Sequence, residues 1–351
     1  MIKKSYLSVL MLFFSLGGFA AEKFEITNGE SLLHIGSLDS FELTVNGIES
    51  ARLLWEALKS NDRSKAEMAI RLYNKIIPKE NYGGEYTGLL WLAEHYFFPE
   101  KYDIKKVTNP FFKEYYHFFL DNNAQVLKEY LVRKYKLQKI QDKTISSGLD
   151  RKVFLEDFIL FNNPYRERWE KTSEFFKRMN IPEGAIVGDI GCGPGLFSYL
   201  LSQKTGSNGK VYAMDLNKNH LNFVDMVCKK YGIKNIKTHI SGVTSTNLPA
   251  DTLDIALMCS LYHIIYAEAE TERNAFINSI KLTLRNNGRL IVIDNSPVTG
   301  DTLPYHSNYI AKELIIAQLK HYGFEFIRAE HFLPQRYMLE FKNKKKIWRD
   351  Q

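Results

Sequence analysis

The sequence predicts an α/β fold, in which a doubly wound, mostly parallel sheet follows a helical N-terminal domain. Two observations carry this prediction. From Ile186 onward, apolar runs of strand length alternate with segments of helix length at the spacing of βαβ units. Between residues 48 and 137, apolar residues instead recur at helical spacing. A chain of 351 residues is long enough for two domains of this kind.

The first twenty residues are typical of a secretory signal peptide. Lys3 and Lys4 form a basic start, and residues 6–19 form an apolar stretch that is short for a membrane span. Small residues at Gly18 and Ala20 predict cleavage after Ala20. We therefore expect the protein to be exported, either to the periplasm or out of the cell. The alternatives are an uncleaved anchor and an ordinary hydrophobic first helix in a cytoplasmic protein.

Residues 21–145 are predicted to form the helical domain. Leu54 and Leu58 follow each other at helical spacing, and Asn109 before a proline is a strong helix-start signal. The helix that follows carries six aromatic residues over 111–119. Such a run favours a hydrophobic core, with an apolar acceptor pocket as the alternative.

A polar stretch at 138–148 separates the two predicted domains. The complete division is a signal peptide over 1–20, a helical domain over 21–145, a sheet domain over 146–342 and a basic tail over 343–351.

A glycine turn follows the first predicted strand of the sheet domain. Gly191, Gly193 and Gly195 come after the strand-end acid Asp189, and without a Cβ they let a ligand approach the backbone. A dinucleotide-binding turn needs glycine in the sixth position, where this chain has Leu196. S-adenosylmethionine (SAM) carries no phosphate, and the acid favours its cationic end. The turn therefore favours SAM over a nicotinamide cofactor.

The later strands of the sheet domain support this interpretation. Asp215 ends the strand predicted over 209–215, at a place where an acid accepts hydrogen bonds from a ribose diol. The apolar run 254–259 is typical of a strand that is covered on both faces. Residues 284–294 predict a helix end, a glycine turn and a strand that ends in Asp294.

Over residues 163–341 the chain resembles the class I SAM-dependent methyltransferases, and in particular a group of predicted bacterial members that often carry signal peptides. The resemblance rests on the lead-in 163–169, the loop 189–195 and the triplet 261–263, while 323–327 and 336–341 look like a final antiparallel strand pair. It implies a Rossmann-like, doubly wound, seven-stranded methyltransferase sheet with SAM as cofactor. The activity that it implies is methyl transfer.

The resemblance also implies the residues of the site. The SAM-binding residues are Asp189, Gly191, Cys192, Gly193, Gly195, Asp215, Leu216, Thr244, Ser260, Tyr165 and Arg166. Of these, Leu216 is expected to pack on adenine. Tyr165 and Arg166 precede the sheet and are expected to form a lid over SAM, with Arg166 reaching the SAM carboxylate. The alternative for these two residues is packing and surface pairing on an amphipathic helix.

On the acceptor side, Tyr262 and His263 are the candidate catalytic residues. A histidine titrates near neutral pH and can take a proton from an acceptor. A helix-start histidine bonded to backbone is the alternative interpretation of His263. Asp294 and His306 are weaker candidates.

One position departs from the family pattern. Many relatives place an aspartate about four residues before a Leu-Pro pair, where it contacts the adenine amino group. Here Leu248 and Pro249 follow Thr244, Ser245 and Thr246. Thr244 therefore stands where an acid is expected.

The net charge of +7 resides largely in the leader lysines and the tail over 342–350. Because nucleic-acid binding needs phosphate-neutralising residues clustered on one face, we expect no nucleic-acid partner. A membrane contact is expected only through an uncleaved leader or as a weak contact of the tail. Cys192, Cys228 and Cys259 give no disulfide framework, and no metal site is predicted.

The expected function is methyl transfer from SAM to a small-molecule acceptor. One alternative is a protein methyltransferase that presents its substrate through the helical domain. Another is an exported SAM-binding interaction protein without turnover. A dehydrogenase is disfavoured by Leu196 in the glycine turn.

Overall fold

The computed structural model describes residues 45–76, 87–121, 123–134, 137, 149–296 and 309–344. Their contacts divide the chain into two compact units, with a boundary between Pro164 and Tyr165. The predicted signal peptide, His306 and most of the basic tail lie outside the described residues. None of the helices in the described ranges has the length and apolar character that a membrane span needs.

The first unit is helical. Its helices are α1 (Val45–Ser60), α2 (Arg63–Ile76), α3 (Thr87–Phe97), α4 (Pro110–Leu120), α5 (Ala124–Lys134) and α6 (Leu149–Phe161), with short 3-10 helices at Pro99–Lys101 and Ile104–Lys106. Asn109 caps α4 as predicted, because its Oδ1 accepts hydrogen bonds from the N–H groups of Phe111 (2.9 Å) and Phe112 (3.3 Å).

Aromatic side chains form the centre of the helical unit. Phe111, Tyr115 and Phe119 on α4 are buried. The Tyr115 hydroxyl lies 3.2 Å from His95 Nδ1 and accepts a hydrogen bond from Asn163 Nδ2 at 3.1 Å. The aromatic run of α4 therefore packs as core, with a polar network inside it that satisfies the buried hydroxyl.

The helix α6 packs with the helical unit. It contacts α3, and its Phe158 ring lies 5.4 Å from the Tyr115 ring, centroid to centroid. The sequence-based division at residue 146 puts α6 in the sheet domain instead. That division rests on the polar stretch before α6, whereas the packing partner of its apolar face becomes visible only in the fold.

The second unit is built on a seven-stranded sheet. Its strands are β1 (Ile186–Ile190), β2 (Lys210–Asp215), β3 (Ile236–Ile240), β4 (Leu253–Cys259), β5 (Leu284–Asn295), β6 (Phe324–Leu333) and β7 (Arg336–Asn343), in the order β3-β2-β1-β4-β5-β7-β6. The pairs from β3 to β5 are parallel, and β7 is antiparallel to both β5 and β6. The predicted mostly parallel sheet with an antiparallel C-terminal pair is confirmed.

Helices flank this sheet. They are α7 (Arg166–Glu170), α8 (Thr172–Met179), α9 (Leu196–Thr205), α10 (Lys218–Tyr231), α11 (Tyr262–Ala267), α12 (Glu270–Thr283) and α13 (Lys312–His321). Ile277 and Ile280 of α12 and Leu319 of α13 are fully buried and belong to one apolar cluster with the sheet. This cluster holds the carboxyl ends of the parallel strands in place.

The fifth strand differs from its prediction. Pairing already begins with Leu284 opposite Leu253, where the sequence predicts a helix end and a turn. A register shift follows, and regular pairing resumes with Arg289 opposite Ile255. An added Cβ at Gly288 would lie 2.9 Å from a backbone carbonyl oxygen, so the glycine makes room for this irregular segment within the strand.

Candidate active site

The glycine turn after β1 is fastened to the end of β2. The N–H groups of Gly191 and Cys192 donate to the carbonyl oxygen of Met214 at 2.8 and 2.9 Å. Gly191, Gly193 and Gly195 all have positive φ angles (72°, 52° and 84°), which favour glycine. No atom lies within 4 Å of an added Cβ at Gly193. The turn thus borders open space at the position where a ligand can approach the backbone.

Asp215 lies beside this open space. Its Oδ2 accepts the N–H of Gly193 at 2.9 Å, and its Oδ1 accepts the N–H of Asn217 at 2.8 Å. The Nδ1 atom of the buried His220 is 3.3 Å from Asp215 Oδ2. A carboxylate oxygen has two lone pairs, so Asp215 can accept further hydrogen bonds from a ribose diol while it holds the turn.

Asp189 is buried at the end of β1. Ser198 of α9 donates a hydrogen bond from Oγ to Asp189 Oδ2 at 2.6 Å. Burial raises the pKa of Asp189 to about 6, although this hydrogen bond and the charge of Arg166 act in the opposite direction. A cationic ligand beside Asp189 would favour its ionised form.

Apolar surface follows Asp215 along the same edge of the sheet. Leu216 is 49% exposed and Ile240 is 42% exposed, and Ile240 is the register partner of Asp215 in β3. An exposed leucine at this place fits the expectation that Leu216 packs on adenine, since a flat base needs an apolar face.

The segment after β3 begins beside Asp215, whose carbonyl oxygen accepts the N–H of Ser241 at 3.0 Å. Thr244 is exposed in this segment. Thr246 is buried, and its hydroxyl lies 3.0 Å from Ser279 Oγ and 2.8 Å from Thr283 Oγ1. Of these two threonines, only Thr244 is therefore open to a ligand.

A buried ionic cluster lies at the ends of β4 and β7. Glu170 of α7 pairs with Arg166 on the same helix, and its Oε1 is 3.0 Å from Arg336 Nη2. Burial opposes the ionisation of Glu170, but the two guanidinium groups outweigh it and hold the pKa of its carboxyl below the usual value. Arg166 thus has a protein partner within the expected SAM site.

Arg336 also ties this cluster to the end of β4. Its Nη2 donates to Ser260 Oγ at 2.9 Å and lies 3.3 Å from Cys259 Sγ, while its Nη1 donates to Asn295 Oδ1 at 2.9 Å. Ser260 has a positive φ of 55°, which is strained for a residue other than glycine. The predicted SAM-binding Ser260 is therefore held in its conformation by the last strand of the sheet.

His263 and Asp294 form a buried pair at the ends of β4 and β5. His263 Nδ1 lies 2.7 Å from Asp294 Oδ1, and the backbone N–H of His263 donates to Asp294 Oδ2 at 3.0 Å. Burial acts to raise the pKa of Asp294, but the interaction with His263 outweighs it and lowers that pKa. The sequence named these two residues separately, and the structure joins them.

Tyr262 is positioned differently from its neighbour. Its side chain is fully buried in the apolar cluster around α12 and α13, and its hydroxyl donates to Gln318 Oε1 at 2.5 Å. Burial raises the pKa of Tyr262 far above its ordinary value. The expected catalytic role does not fit this placement, and we assign Tyr262 to the core.

The remaining predicted residues lie around the turn. Cys192 is buried, and desolvation raises the pKa of its thiol well above the usual value. Tyr165 is partly buried and directly precedes α7. Glu170 and Arg336 were missed as site residues, although the i, i+4 spacing of Arg166 and Glu170 on one helix was a usable signal.

The arrangement fits SAM. The open space at Gly193, the acceptor atoms of Asp215 and the exposed Leu216 would receive the backbone-facing side, the ribose and the base. Asp189 and Ser260 would border the methionine end. In the described ranges, no group of three or more acidic, histidine or cysteine side chains could hold a metal ion.

The comparisons agree with the domain that this geometry suggests. A family model described as a methyltransferase domain matches residues 181–337. A demethylmenaquinone methyltransferase from Geobacillus sp. (strain WCH70) is 27% identical over 90 residues, which are 26% of this chain and 38% of that protein. The ribosomal RNA large subunit methyltransferase E of Wigglesworthia glossinidia brevipalpis is 32% identical over 136 residues, which are 36% of this chain and 64% of that protein.

Among solved structures, a SAM-dependent methyltransferase from Aquifex aeolicus is similar, with a TM-score of 0.45 and 22% identity over 52% of this chain and 94% of that one. The chain spans less than two thirds of the length of both curated relatives. The family match covers the glycine turn, Asp215 and the pair of His263 and Asp294. Residues 181–337 are therefore similar to methyltransferase domains, and the geometry of the site fits SAM as a cofactor.

Proposed function

We propose that this protein transfers a methyl group from SAM to a small-molecule acceptor, with His263 on the acceptor side. The observation that carries the proposal is the glycine turn, whose open side at Gly193 lies beside the Asp215 carboxylate. Bound SAM supplies a methyl group on a sulfonium sulfur, which is a good leaving group. The protein then has to align the acceptor and exclude water.

Each group of the site has a part in this proposal. Asp215 accepts hydrogen bonds from the ribose, and Leu216 offers an apolar face to adenine. Asp189 and Ser260 orient the methionine end. Arg166 and Arg336, held by Glu170, place positive charge near the end of β4, where the SAM carboxylate would find it.

The small-molecule acceptor is supported by one of the similar proteins. The relative from Geobacillus sp. is named for demethylmenaquinone, a small molecule, while the relative from Wigglesworthia is named for ribosomal RNA. The near-neutral body of this chain favours the first kind of acceptor, because an RNA groove needs clustered cationic side chains. A protein acceptor remains the second candidate for this site.

Calorimetry tests the cofactor half of the proposal with the full chain. We expect SAM to bind to the wild type and to lose most of its affinity in Asp215→Ala, because the variant removes the ribose acceptor and the tie to Gly193. Asp225→Ala is the matched control, since the exposed Asp225 accepts a hydrogen bond from Thr238 Oγ1 on β3. If the wild type does not bind SAM at high micromolar concentration, the proposed methyltransferase activity is contradicted. Binding of a nicotinamide cofactor would favour a dehydrogenase.

Methyl-labelled SAM tests the acceptor half. A cell extract is divided by ultrafiltration into a small-molecule fraction and a protein fraction, and each is incubated with the enzyme. Label in the small-molecule fraction supports the proposal, whereas label in protein favours the runner-up. If SAM binds and no fraction accepts label, the SAM-binding protein without turnover becomes the preferred interpretation.

We further propose that residues 1–20 export the protein. The basic start and the short apolar stretch support export. The test fuses residues 1–30 to alkaline phosphatase, which is active only outside the cytoplasm. An inactive fusion, with an active control that carries a known signal peptide, would contradict export.

A further inference from the structure

We propose that Asp294 orients His263 by accepting a hydrogen bond from Nδ1, so that Nε2 faces the acceptor and acts as a general base. We further propose that the acceptor is a molecule with a hydroxyl group. This inference rests on the proposed methyl transfer and specifies the chemical class of its acceptor. Asp294 is a positioning residue in this proposal, because it acts through His263.

The contacts of Asp294 fix the orientation of His263. The carboxylate is completely buried and accepts two hydrogen bonds from His263, one from the ring and one from the backbone. It accepts a third from the N–H of Asn295 at 2.7 Å. Because an ionised carboxylate only accepts, the ring nitrogen that faces it must carry a hydrogen. In the neutral imidazole, the lone pair then lies on Nε2.

The groups around the pair favour an ionised Asp294. Arg336 of β7 lowers the pKa of Asp294 by its positive charge, in addition to the larger effect of His263. Tyr262 of α11 and Tyr337 of β7 also face Asp294, and burial keeps both phenols protonated by raising their pKa values. Asp294 is therefore the anionic group of this cluster, and it stabilises the imidazolium that forms when Nε2 takes a proton.

The Nε2 side of the imidazole is the side that an acceptor would have to reach. His263 is 8% exposed, and among the described residues no hydrogen-bond partner is found for Nε2. The same segment touches the cofactor turn, since an added Cβ at Gly191 would lie 2.9 Å from Leu261 Cδ2. His263 therefore lies two positions along the chain from Leu261, the residue that packs against this turn.

A base at this place selects the acceptor chemistry. A neutral amine or a thioether attacks a methyl group through its own lone pair, and a carboxylate is already ionised. A hydroxyl group of a phenol or an enol becomes a good nucleophile only as it loses its proton. A site that keeps a buried histidine and aspartate for this purpose fits a hydroxyl acceptor.

The step balances. The O–H bond of the acceptor breaks and its proton moves to His263 Nε2. The electron pair of that bond forms the new bond from oxygen to the methyl carbon, and the electron pair of the broken carbon–sulfur bond stays on sulfur. The imidazolium then releases its proton to water, so that one proton leaves for each methyl group transferred.

Asp294 could also have a purely structural role, and that role can be distinguished from control of the His263 tautomer. The Asp294 carboxylate also caps the start of α11 through the backbone N–H of His263. Asp294→Asn keeps an amide oxygen for this cap, but its N–H₂ group can donate to Nδ1 and thus favours the other tautomer. This variant therefore separates the cap from the control of the tautomer.

Nitrogen NMR of the histidine-labelled full chain tests the tautomer without any acceptor. The His263 signals are assigned by their absence in His263→Gln. We expect the wild type to carry its proton on Nδ1 near neutral pH and Asp294→Asn to shift toward the Nε2–H tautomer, with unchanged SAM affinity by calorimetry. A wild type with the proton on Nε2, or a spectrum that Asp294→Asn leaves unchanged, would overturn the proposal.

SAM labelled with carbon-13 in its methyl group tests the acceptor class. The enzyme is incubated with the small-molecule extract, and the product is examined by carbon NMR. A methoxyl signal supports the hydroxyl acceptor, whereas a methyl signal on nitrogen, sulfur or carbon overturns it. If SAM does not bind in calorimetry, the proposed function fails, and the tautomer experiment still gives its own answer.

The rate of methyl transfer by variants of Asp294 and His263 tests the role of the pair in catalysis. We expect Asp294→Asn and His263→Gln to lower kcat by about 100-fold or more with little change in the KM for SAM, in the range of general base catalysis. For Asp294→Asn, the rate should recover as the pH rises and the acceptor hydroxyl ionises by itself. His331→Gln is the control, since His331 is exposed, with its Nε2 atom 3.4 Å from the Pro334 carbonyl oxygen and its ring edge-on to the Tyr337 ring. Equal losses at all pH values would indicate a structural role.

Discussion

Glu170 Oε1 lies 3.0 Å from Arg336 Nη2, so the first short helix of the sheet unit is paired with the first residue of its last strand. The two side chains are 0% and 5% exposed, and Arg166 shares the same carboxylate. Charges that are removed from water in this way are tolerated only while they remain together. The pair therefore links the stability of the sheet unit to the geometry of its site.

The first prediction concerns this cluster. Glu170→Ala leaves two buried guanidinium groups without their carboxylate, and we expect the free energy of unfolding to fall by about 3 to 5 kcal/mol. Denaturant unfolding of the full chain, followed by the fluorescence of its tryptophans, measures the change. Glu174→Ala is the matched control on α8, where the carboxylate is exposed and 3.7 Å from Arg178. A loss no larger than that of the control would show that the cluster does not stabilise the fold.

The second prediction concerns the pH dependence that Asp189 confers. Its folded pKa is raised to about 6, so between the unfolded pKa and pH 6 the folded state binds more protons than the unfolded state. The resulting stabilisation is fully present below the unfolded pKa and is lost as the pH rises through about 6. From pH 4 to pH 7, the wild type should therefore lose on the order of 2 kcal/mol relative to Asp189→Asn.

Urea unfolding of both proteins across this pH range makes the comparison. Ser198→Ala sharpens it, because loss of the hydrogen bond to Asp189 Oδ2 should raise the pKa of the carboxyl further and extend the slope to higher pH. Parallel stability curves for the wild type and Asp189→Asn would contradict the raised pKa.

The third prediction separates strain from ligand contact at the glycine turn. Gly193 and Gly232 both have positive φ angles, 52° and 67°, and neither has an atom within 4 Å of an added Cβ. Each alanine variant should therefore cost about 1 kcal/mol of stability. Only Gly193→Ala should weaken SAM binding, because its methyl group would project into the space beside Asp215. Equal SAM affinities of the two variants in calorimetry would argue against this placement of the cofactor.

The fourth prediction concerns Tyr262, which the structure places in the core. Tyr262→Phe removes the donor to the half-buried Gln318 Oε1, so we expect a loss of about 1 kcal/mol in stability. The double variant with Gln318→Leu should recover part of that loss. Methyl transfer to the small-molecule extract should stay within about twofold of the wild type, because no reacting proton passes through this hydroxyl. A drop in kcat comparable to that of His263→Gln would indicate that Tyr262 is a catalytic residue after all.

Much of the sheet could be predicted from local sequence. The strands β1, β2 and β4 are short apolar runs, and acids or glycines mark their ends at Asp189 and Asp215. Such patterns depend on neighbouring residues only, so a single sequence contains them. The start of β5 was mistaken because Gly288 suggests a turn, whereas its register with β4 depends on a pairing partner far away in the chain.

The residues of the candidate site were likewise predicted only where their pattern is local in sequence. The glycine turn and Asp215 were found because their chemistry lies within one continuous βαβ segment. Glu170 and Arg336 were missed because their pairing depends on the antiparallel placement of β7 beside β5, which no local pattern encodes. His263 and Asp294 were each named, but only the adjacency of β4 and β5 shows that they act as a pair.

The order in which the chain is synthesised has a consequence for this site. Arg336 begins β7, so the second cation of the Glu170 cluster and the support of Ser260 emerge from the ribosome after every other residue of the site. A nascent chain that already contains the glycine turn and His263 still lacks this clamp. Translation that stops before residue 336 therefore releases a product that has the parts for binding SAM but not the contact that completes their arrangement.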